Sequence, residues 1–292
     1  MQTTHRRWTT RAATDTLSDR HDARLRDQAT INHGSSLAAG DVQEPVLVAT
    51  QLTKQFSGSV VVNSASLAVK RGSIHALIGP NGAGKTTMFN MLSGFLPPTS
   101  GSIRFDGVDV TGESPAAIAR RGLVRSFQIS ATFAHLSVHE NIRVALQRRS
   151  GMARQFWRSD AMLRGLDERA DQLLERVNLT AHRDVLAANL SYGRKRMLEV
   201  ATTLAVDPAL LLLDEPMAGM GHEDIDHVVS LIRDISAGRT ILMVEHNLSV
   251  VRGLCDTITV LQRGQVIAEG TYDEVSSSPE VREAYIGTED EE

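Results

Sequence analysis

Hydrophobic residues recur along this chain with two different periods, and the alternation between them outlines an architecture. From Val46 the spacing is that of strands: Val46 to Leu52, then Val60 to Val69 interrupted at Asn63-Ser64, predict the first strands of an edge sheet. Arg71-Gly72 turns the chain into the apolar run Ile74 to Ile78, and Met88-Phe89-Asn90-Met91-Leu92 reads as a helix. After the rigid turn Pro97-Pro98-Thr99-Ser100-Gly101, Ile103-Arg104-Phe105 alternates as a strand does. The period then becomes helical. Ile142 to Gln147 predicts one helix, and Leu166, Ala170, Leu173, Leu174 and Val177 lie on one stripe of another, with weak periodicity from 151 to 164. Residues of roughly 129 to 200 are thus expected to form a helical insert within an α/β core.

Core signals return with Leu210 to Leu213 and Thr240 to Val244, continuous apolar runs too short for globular helices and suited to parallel strands buried on both faces. Ile258 to Leu261, Arg263-Gly264 and Val266 to Ala268 predict strand, turn and strand, and Glu274 with Glu280 to Tyr285 a single short final helix before the acidic end 289–292. The expected fold class is α/β, with a mixed or parallel core sheet, an antiparallel edge sheet and a helical subdomain.

Residues 1–45 depart from this pattern. They hold six arginines and six acids, Trp8 is their one large aromatic, and they lack apolar periodicity, so a disordered tail is expected. Arg6-Arg7 is not followed by the apolar region of an export signal. The whole chain of 292 residues, 41% hydrophobic and 23% charged, has the usage of a soluble globular protein. Its net charge of −4 gives no electrostatic case for a nucleic-acid partner, and its single cysteine, Cys255, cannot form an internal disulfide. No run approaches the length of a membrane-spanning helix, so work at a membrane is expected to proceed through a partner.

The candidate chemistry centres on Gly79-Pro80-Asn81-Gly82-Ala83-Gly84-Lys85-Thr86-Thr87, placed between a strand and a helix. In that context the glycines let backbone amides turn around phosphates, Lys85 neutralises their oxygens, and Thr86 offers a hydroxyl to Mg²⁺. The expected ligand is a nucleoside triphosphate. Asp214 and Glu215 follow the leucine run, where a carboxylate at the end of a parallel strand can hold the metal's water shell and its neighbour can polarise an attacking water. His246 ends the next run, as either a γ-phosphate partner or a surface histidine. Phe56 is either core or a face for a purine base. Ser191 and Gly193, before the amphipathic run Met197 to Leu204, form a helix start that is an N-cap or a second anion site; with one phosphate loop already present, the second site suits a nucleotide held by a neighbouring copy.

This ordered set, Gly79 to Thr87, Gln128, Leu190 to Gly193, Leu210 to Glu215 and His246, resembles the ATP-binding subunits of ABC transporters, which have a phosphate-loop NTPase fold, over residues of about 46–288. The resemblance implies Phe56 as the base-stacking aromatic, Gln128 as the link between Mg²⁺, attacking water and the transmembrane partner, and Ser191 with Gly193 as the signature that closes over ATP in the opposite subunit. It further implies Glu215 as catalytic base, His246 as switch histidine, and Thr86, Gln128 and Asp214 around the metal. Within the family, Phe89 to Gly94, Arg125-Ser126-Phe127-Gln128 and the tail Val266 to Gly287 look most like the importers of branched-chain amino acids and related small amides or urea, with a carboxyl-terminal extension at about 266–288. The implied partners are a second ATP-binding subunit, same or homologous, in a head-to-tail dimer, separate permease subunits, and an extracytoplasmic solute-binding protein, with the chain peripheral on the cytoplasmic face of the membrane. An ATPase subunit of another transporter, such as a lipid or lipopolysaccharide exporter, carries the same catalytic motifs. One departure stands out: Ala218-Gly219-Met220-Gly221 has glycine where the subgroup usually has a polar side chain that couples the two ATP sites.

Overall fold

A computed structural model describes residues 44–126, 132–149 and 160–286. The expected tail, Gln128, most of the weakly periodic segment and the acidic end lie outside them. The chain first builds a four-stranded sheet from β1 (Pro45–Phe56), β2 (Ser59–Lys70), β4 (Ser100–Phe105) and β5 (Val108–Asp109), antiparallel throughout and ordered β2-β1-β4-β5. A second sheet, ordered β10-β9-β3-β8-β7-β6, is parallel except at its β10 edge. Its strands are β3 (Ile74–Ile78), β6 (Leu123–Arg125), β7 (Leu210–Asp214), β8 (Thr240–Val244), β9 (Thr257–Gln262) and β10 (Gln265–Gly270).

The continuous apolar runs have a direct structural cause. Leu210 and Leu212 enter a hydrophobic cluster with the antiparallel sheet and α1 (Lys85–Leu92), while Leu211 and Leu213 point the other way into a cluster with the remaining helices. All four are buried, each contributing about 1.5–3 kcal/mol of apolar burial. The cluster on the second face includes Ile142 and Leu146 of α3 (Val138–Arg149), Leu174 of α4 (Asp160–Arg176), Leu198 of α5 (Tyr192–Ala205) and Ile232 of α6 (His222–Ser236). α2 (Pro115–Arg121) precedes β6 and α7 (Leu248–Leu254) links β8 to β9, while α3, α4 and α5 make the helical subdomain. A polar network reinforces it: Arg183 Nε donates to Asp171 at 2.8 Å and its Nη2 lies 3.1 Å from His139 Nε2.

Two local expectations change. The Asn63-Ser64 interruption is a bulge within one long strand: Leu52 pairs with Ala65 but Lys54 with Val62, leaving an extra residue on β2. Asn63 N donates to Gly264 O and Ser64 N to Thr53 Oγ1, so the displaced amides keep partners. The final helix is two helices, α8 (Tyr272–Ser277) and α9 (Pro279–Ile286). Proline without an N–H suits the start of a helix rather than its interior, and it divides them at Ser278.

Strand β3 also carries a polar residue in the core. His75 is fully buried, with Nε2 2.8 Å from Thr259 Oγ1, and that hydroxyl donates to Glu269 Oε2 at 2.9 Å. Thr259 has one hydrogen and gives it to the carboxylate, so His75 is the neutral tautomer with its proton on Nε2. Its Nδ1 has no hydrogen-bond partner among the described residues. Burial, aided by the Lys70 charge, pushes the imidazole down to about 4.

Candidate functional site

The order β3-β8-β7 brings three strand ends side by side, and each delivers polar residues at its carboxyl end. After β3 comes the glycine loop. A Cβ added to Gly79 would lie 2.0 Å from Leu261 O, and one on Gly84, at φ 101, would lie 2.9 Å from Val61 O, so only glycine fits at either position. Gly84 caps α1, Ala83 is buried beneath the loop, and Pro80, Asn81 and Gly82 form its outer arc. Lys85 Nζ donates to Gly79 O at 2.7 Å and Pro80 O at 2.8 Å. Burial lowers the pKa of this ammonium, opposed by the nearby Glu215 carboxylate. Thr86 is exposed and Thr87 half-buried in the first turn of α1. A glycine arch, an ammonium, an exposed hydroxyl and a helix N-terminus are a donor set suited to a triphosphate with a divalent cation.

From β7, Asp214 pairs with Arg125 Nη2 at 2.5 Å, both side chains being largely buried, and Arg125 Nη1 donates to Asn90 Oδ1 of α1 at 2.6 Å. Glu215 follows with a left-handed backbone, φ 45, its amide bonded to Val244 O at 3.0 Å. From β8, His246 places Nε2 2.6 Å from Glu215 Oε1. The two side chains are 41% and 45% exposed, so the pair opens to solvent. Beneath it lies Glu245, 4% exposed, whose carboxylate accepts from Met217 N (3.4 Å), His246 N (2.7 Å) and Asn247 N (3.0 Å) and thereby holds the two loops together.

Phe56 ends β1 and is 44% exposed, with Lys54 Nζ 5.3 Å from its ring centroid. The β1–β2 hairpin that carries it comes close to the loop, since Val61 O lies beside Gly84. Ser191 stands at the N-cap position of α5 but makes no side-chain capping bond, and Gly193 sits in the first turn. Neither makes a hydrogen bond, among those between described residues, to the polar groups at the three strand ends. Gln128 lies outside the described residues.

Four contributors were not picked out by residue type: Arg125, Glu245, Arg196 and Tyr285. Arg196 of α5 is buried and donates to the main-chain oxygens of Asp214 and Glu215. The Tyr285 phenol accepts from the Gly79 amide, while its burial pushes its own pKa up to about 12. Arg125 had a signal, being a charged residue closing a three-residue strand shortly before Gln128. Tyr285 had none beyond its place in the tail.

Residues 62–218 match the ABC transporter family, and residues 265–291 match the family described as branched-chain amino acid ATP-binding cassette transporter. The chain is 38% identical over 256 residues to the high-affinity branched-chain amino acid transport ATP-binding protein BraF of Pseudomonas aeruginosa, covering 84% of this chain and 99% of that protein. It is 36% identical over 253 residues to LivG of Escherichia coli, described in the same terms, again covering 84% and 99%. Among solved structures, the ADP conformation of MJ1267, an ATP-binding cassette of an ABC transporter, superposes with a TM-score of 0.73 at 28% identity, covering 83% of this chain and 99% of that one. A nucleotide-free cassette from an ABC transporter gives 0.72 at the same identity and coverage.

Proposed function

This chain belongs to the ABC transporter family as an ATP-binding and ATP-hydrolysing subunit, and from that premise we propose that it powers an importer of branched-chain amino acids or related small polar solutes. The observation that carries the cargo assignment is the match of residues 265–291 to the branched-chain subgroup, beside near full-length similarity to BraF and LivG.

ATP binds along the arch of Gly79 to Thr87, with Phe56 against the base and Lys85 leaving the Gly79 and Pro80 carbonyls for phosphate oxygens. Mg²⁺ would neutralise phosphate charge there, and Thr86, Asp214 and Gln128 are the residues that would hold it. Glu215 orients a water and takes its proton, and His246 Nε2–H fixes the carboxylate from the side through the 2.6 Å bond already present. Because phosphoryl transfer relies on positioning and electrostatics, a monomer lacking the donors of a second subunit hydrolyses slowly. Those donors are Ser191 and Gly193, whose uncapped helix start faces the other copy's nucleotide in a head-to-tail dimer.

No helix among the described residues is long and apolar enough to cross a membrane. The chain works on the cytoplasmic face through permease subunits. Their contact surface includes the stretch from Gln128 to Glu140, and a cleft of about 410 Å³ lined by Phe95, Pro115, Ala119, Arg120, Leu123 and Arg125 is a second candidate for it. Arg125 thus joins the cleft wall to Asp214 at the site. Closure of the dimer on ATP shifts the permease, and hydrolysis resets it. An extracytoplasmic solute-binding protein delivers the cargo.

The test is purification of the full chain with its membrane partner, followed by ligand binding to the associated solute receptor. Binding of leucine, isoleucine, valine or a small amide is the expected result. A receptor that binds lipid, or a permease with no receptor at all, contradicts the assignment.

A further inference from the structure

Helix α5 is held to the core in two different ways. Its later turns bury Leu198, Ala201, Leu204 and Ala205 in the apolar cluster shared with Leu211 and Leu213 of β7. Nearer its start the link is polar. Arg196, 6% exposed, donates through Nη2 to Asp214 O at 2.7 Å and to Glu215 O at 3.1 Å, and through Nη1 to Glu199 Oε2 at 2.7 Å. Glu199 is itself 2% exposed, and its other carboxylate oxygen has no hydrogen-bond partner among the described residues. A planar guanidinium is the side chain that can satisfy these three acceptors at once.

Arg196 is five residues, about 7.5 Å of helix, from Ser191. Besides Glu199, its acceptors are the main-chain carbonyls of Asp214 and Glu215 at this chain's own site, and Glu215 has a left-handed backbone, a state that a glutamate keeps only when its surroundings hold it. We propose that Arg196 is a positioning residue that couples the two ATP sites of the dimer, tying the helix start that meets the partner's nucleotide to the backbone that aims Glu215 at this chain's own. The inference rests on the head-to-tail dimer proposed above. When Ser191 engages a γ-phosphate, α5 shifts as a rod and Arg196 carries the shift to residues 214 and 215. Gly221, at the start of α6, has no side chain with which to carry it on the other flank of that loop.

Two variants of the full chain test this. Arg196→Lys keeps a charge beside Glu199 but loses the fork. Arg196→Met with Glu199→Leu removes both charges, so neither is left buried alone. Each is measured for Mg-ATP affinity, for ATP-induced dimerisation with Glu215→Gln added, and for turnover against ATP concentration with Glu215 intact. The expected result is affinity within about threefold of wild type and preserved dimerisation, with turnover down by about tenfold or more and a Hill coefficient reduced from above one to one. Wild-type turnover and cooperativity in a folded Arg196→Lys overturn the proposal, as does a wild type that is itself non-cooperative. So does a parallel fall of affinity, dimerisation, turnover and Tm that the double variant reverses, since that is support of the fold alone. Failure of Glu215→Gln to dimerise with Arg196 intact overturns the dimer reading itself, before any change at Arg196 is made.

Discussion

Acid should destabilise this protein through one buried histidine. His75 titrates at about 4 in the fold and at 6.5 when exposed, so the unfolded chain takes up its proton first. Its contribution is complete above pH 6.5 and is lost as the pH falls toward 4. The gap of about 2.5 units corresponds to roughly 3 kcal/mol, at a maximum slope of about 1.4 kcal/mol per pH unit. The structural reason is specific: a proton added to Nδ1 would bury a charged N–H with no acceptor, on a strand whose other neighbours are apolar, with Lys70 adding repulsion. Urea unfolding of the full chain at pH 7, 6 and 5 measures the slope. His75→Asn retains a side-chain donor for Thr259 but cannot titrate there, so it should be less stable at pH 7 and yet lose less on acidification, closing the gap to wild type by about 1–2 kcal/mol between pH 6.5 and 5. Parallel curves for the two proteins, at a slope difference below about 0.3 kcal/mol per unit, refute the reasoning.

Other substitutions probe separate parts of the account. Lys85→Ala removes the ammonium proposed to meet the phosphate oxygens and should abolish productive Mg-ATP binding; affinity within about twofold of wild type, measured with labelled nucleotide, would sink that role. Tyr285→Phe removes the hydroxyl that meets the Gly79 amide, and a loss of about 1 kcal/mol should appear as a severalfold weaker ATP affinity, whereas an unchanged affinity detaches the carboxyl-terminal helix from the loop. Glu140→Lys should weaken assembly with the permease while basal hydrolysis continues. Glu140 also completes a capping box with Ser137 (2.7 and 3.1 Å), which Glu140→Gln preserves, so equal assembly by the Lys and Gln variants would remove this surface from the account.

What was legible in the sequence is what short-range pattern encodes. Strands such as Leu210 to Leu213 announce themselves because burial on both faces leaves no room for polar residues, and the glycine loop because its backbone path excludes side chains. Asp214, Glu215 and His246 could be placed because they directly follow such strands. The residues that hold those groups were not legible. Arg125 meets Asp214 across 89 positions, Glu245 reaches Met217 across 28, and Arg196 binds main-chain oxygens that carry no residue-type signal. His75 hid within an apolar run, because a buried neutral imidazole replaces an aliphatic side chain without disturbing the period. The bulge at Asn63-Ser64 looked like a break because the extra residue on β2 interrupts the alternation, while its cause, the pairing register with β1, appears only in the folded sheet.

The shared-site dimer is tested most directly by molar mass from light scattering of Glu215→Gln, with and without Mg-ATP, alone and combined with Ser191→Arg. Glutamine keeps size and hydrogen bonding but cannot accept the proton of water, so ATP should bind while turnover falls by roughly 10²-fold or more. Since hydrolysis reopens the closed state, the variant should gain mass toward a dimer on adding Mg-ATP. Ser191→Arg would fill the space in which the proposed dimer docks the opposite γ-phosphate and should abolish the gain. Wild-type turnover by Glu215→Gln, or an ATP-induced dimer that forms equally well with Ser191→Arg, contradicts the account.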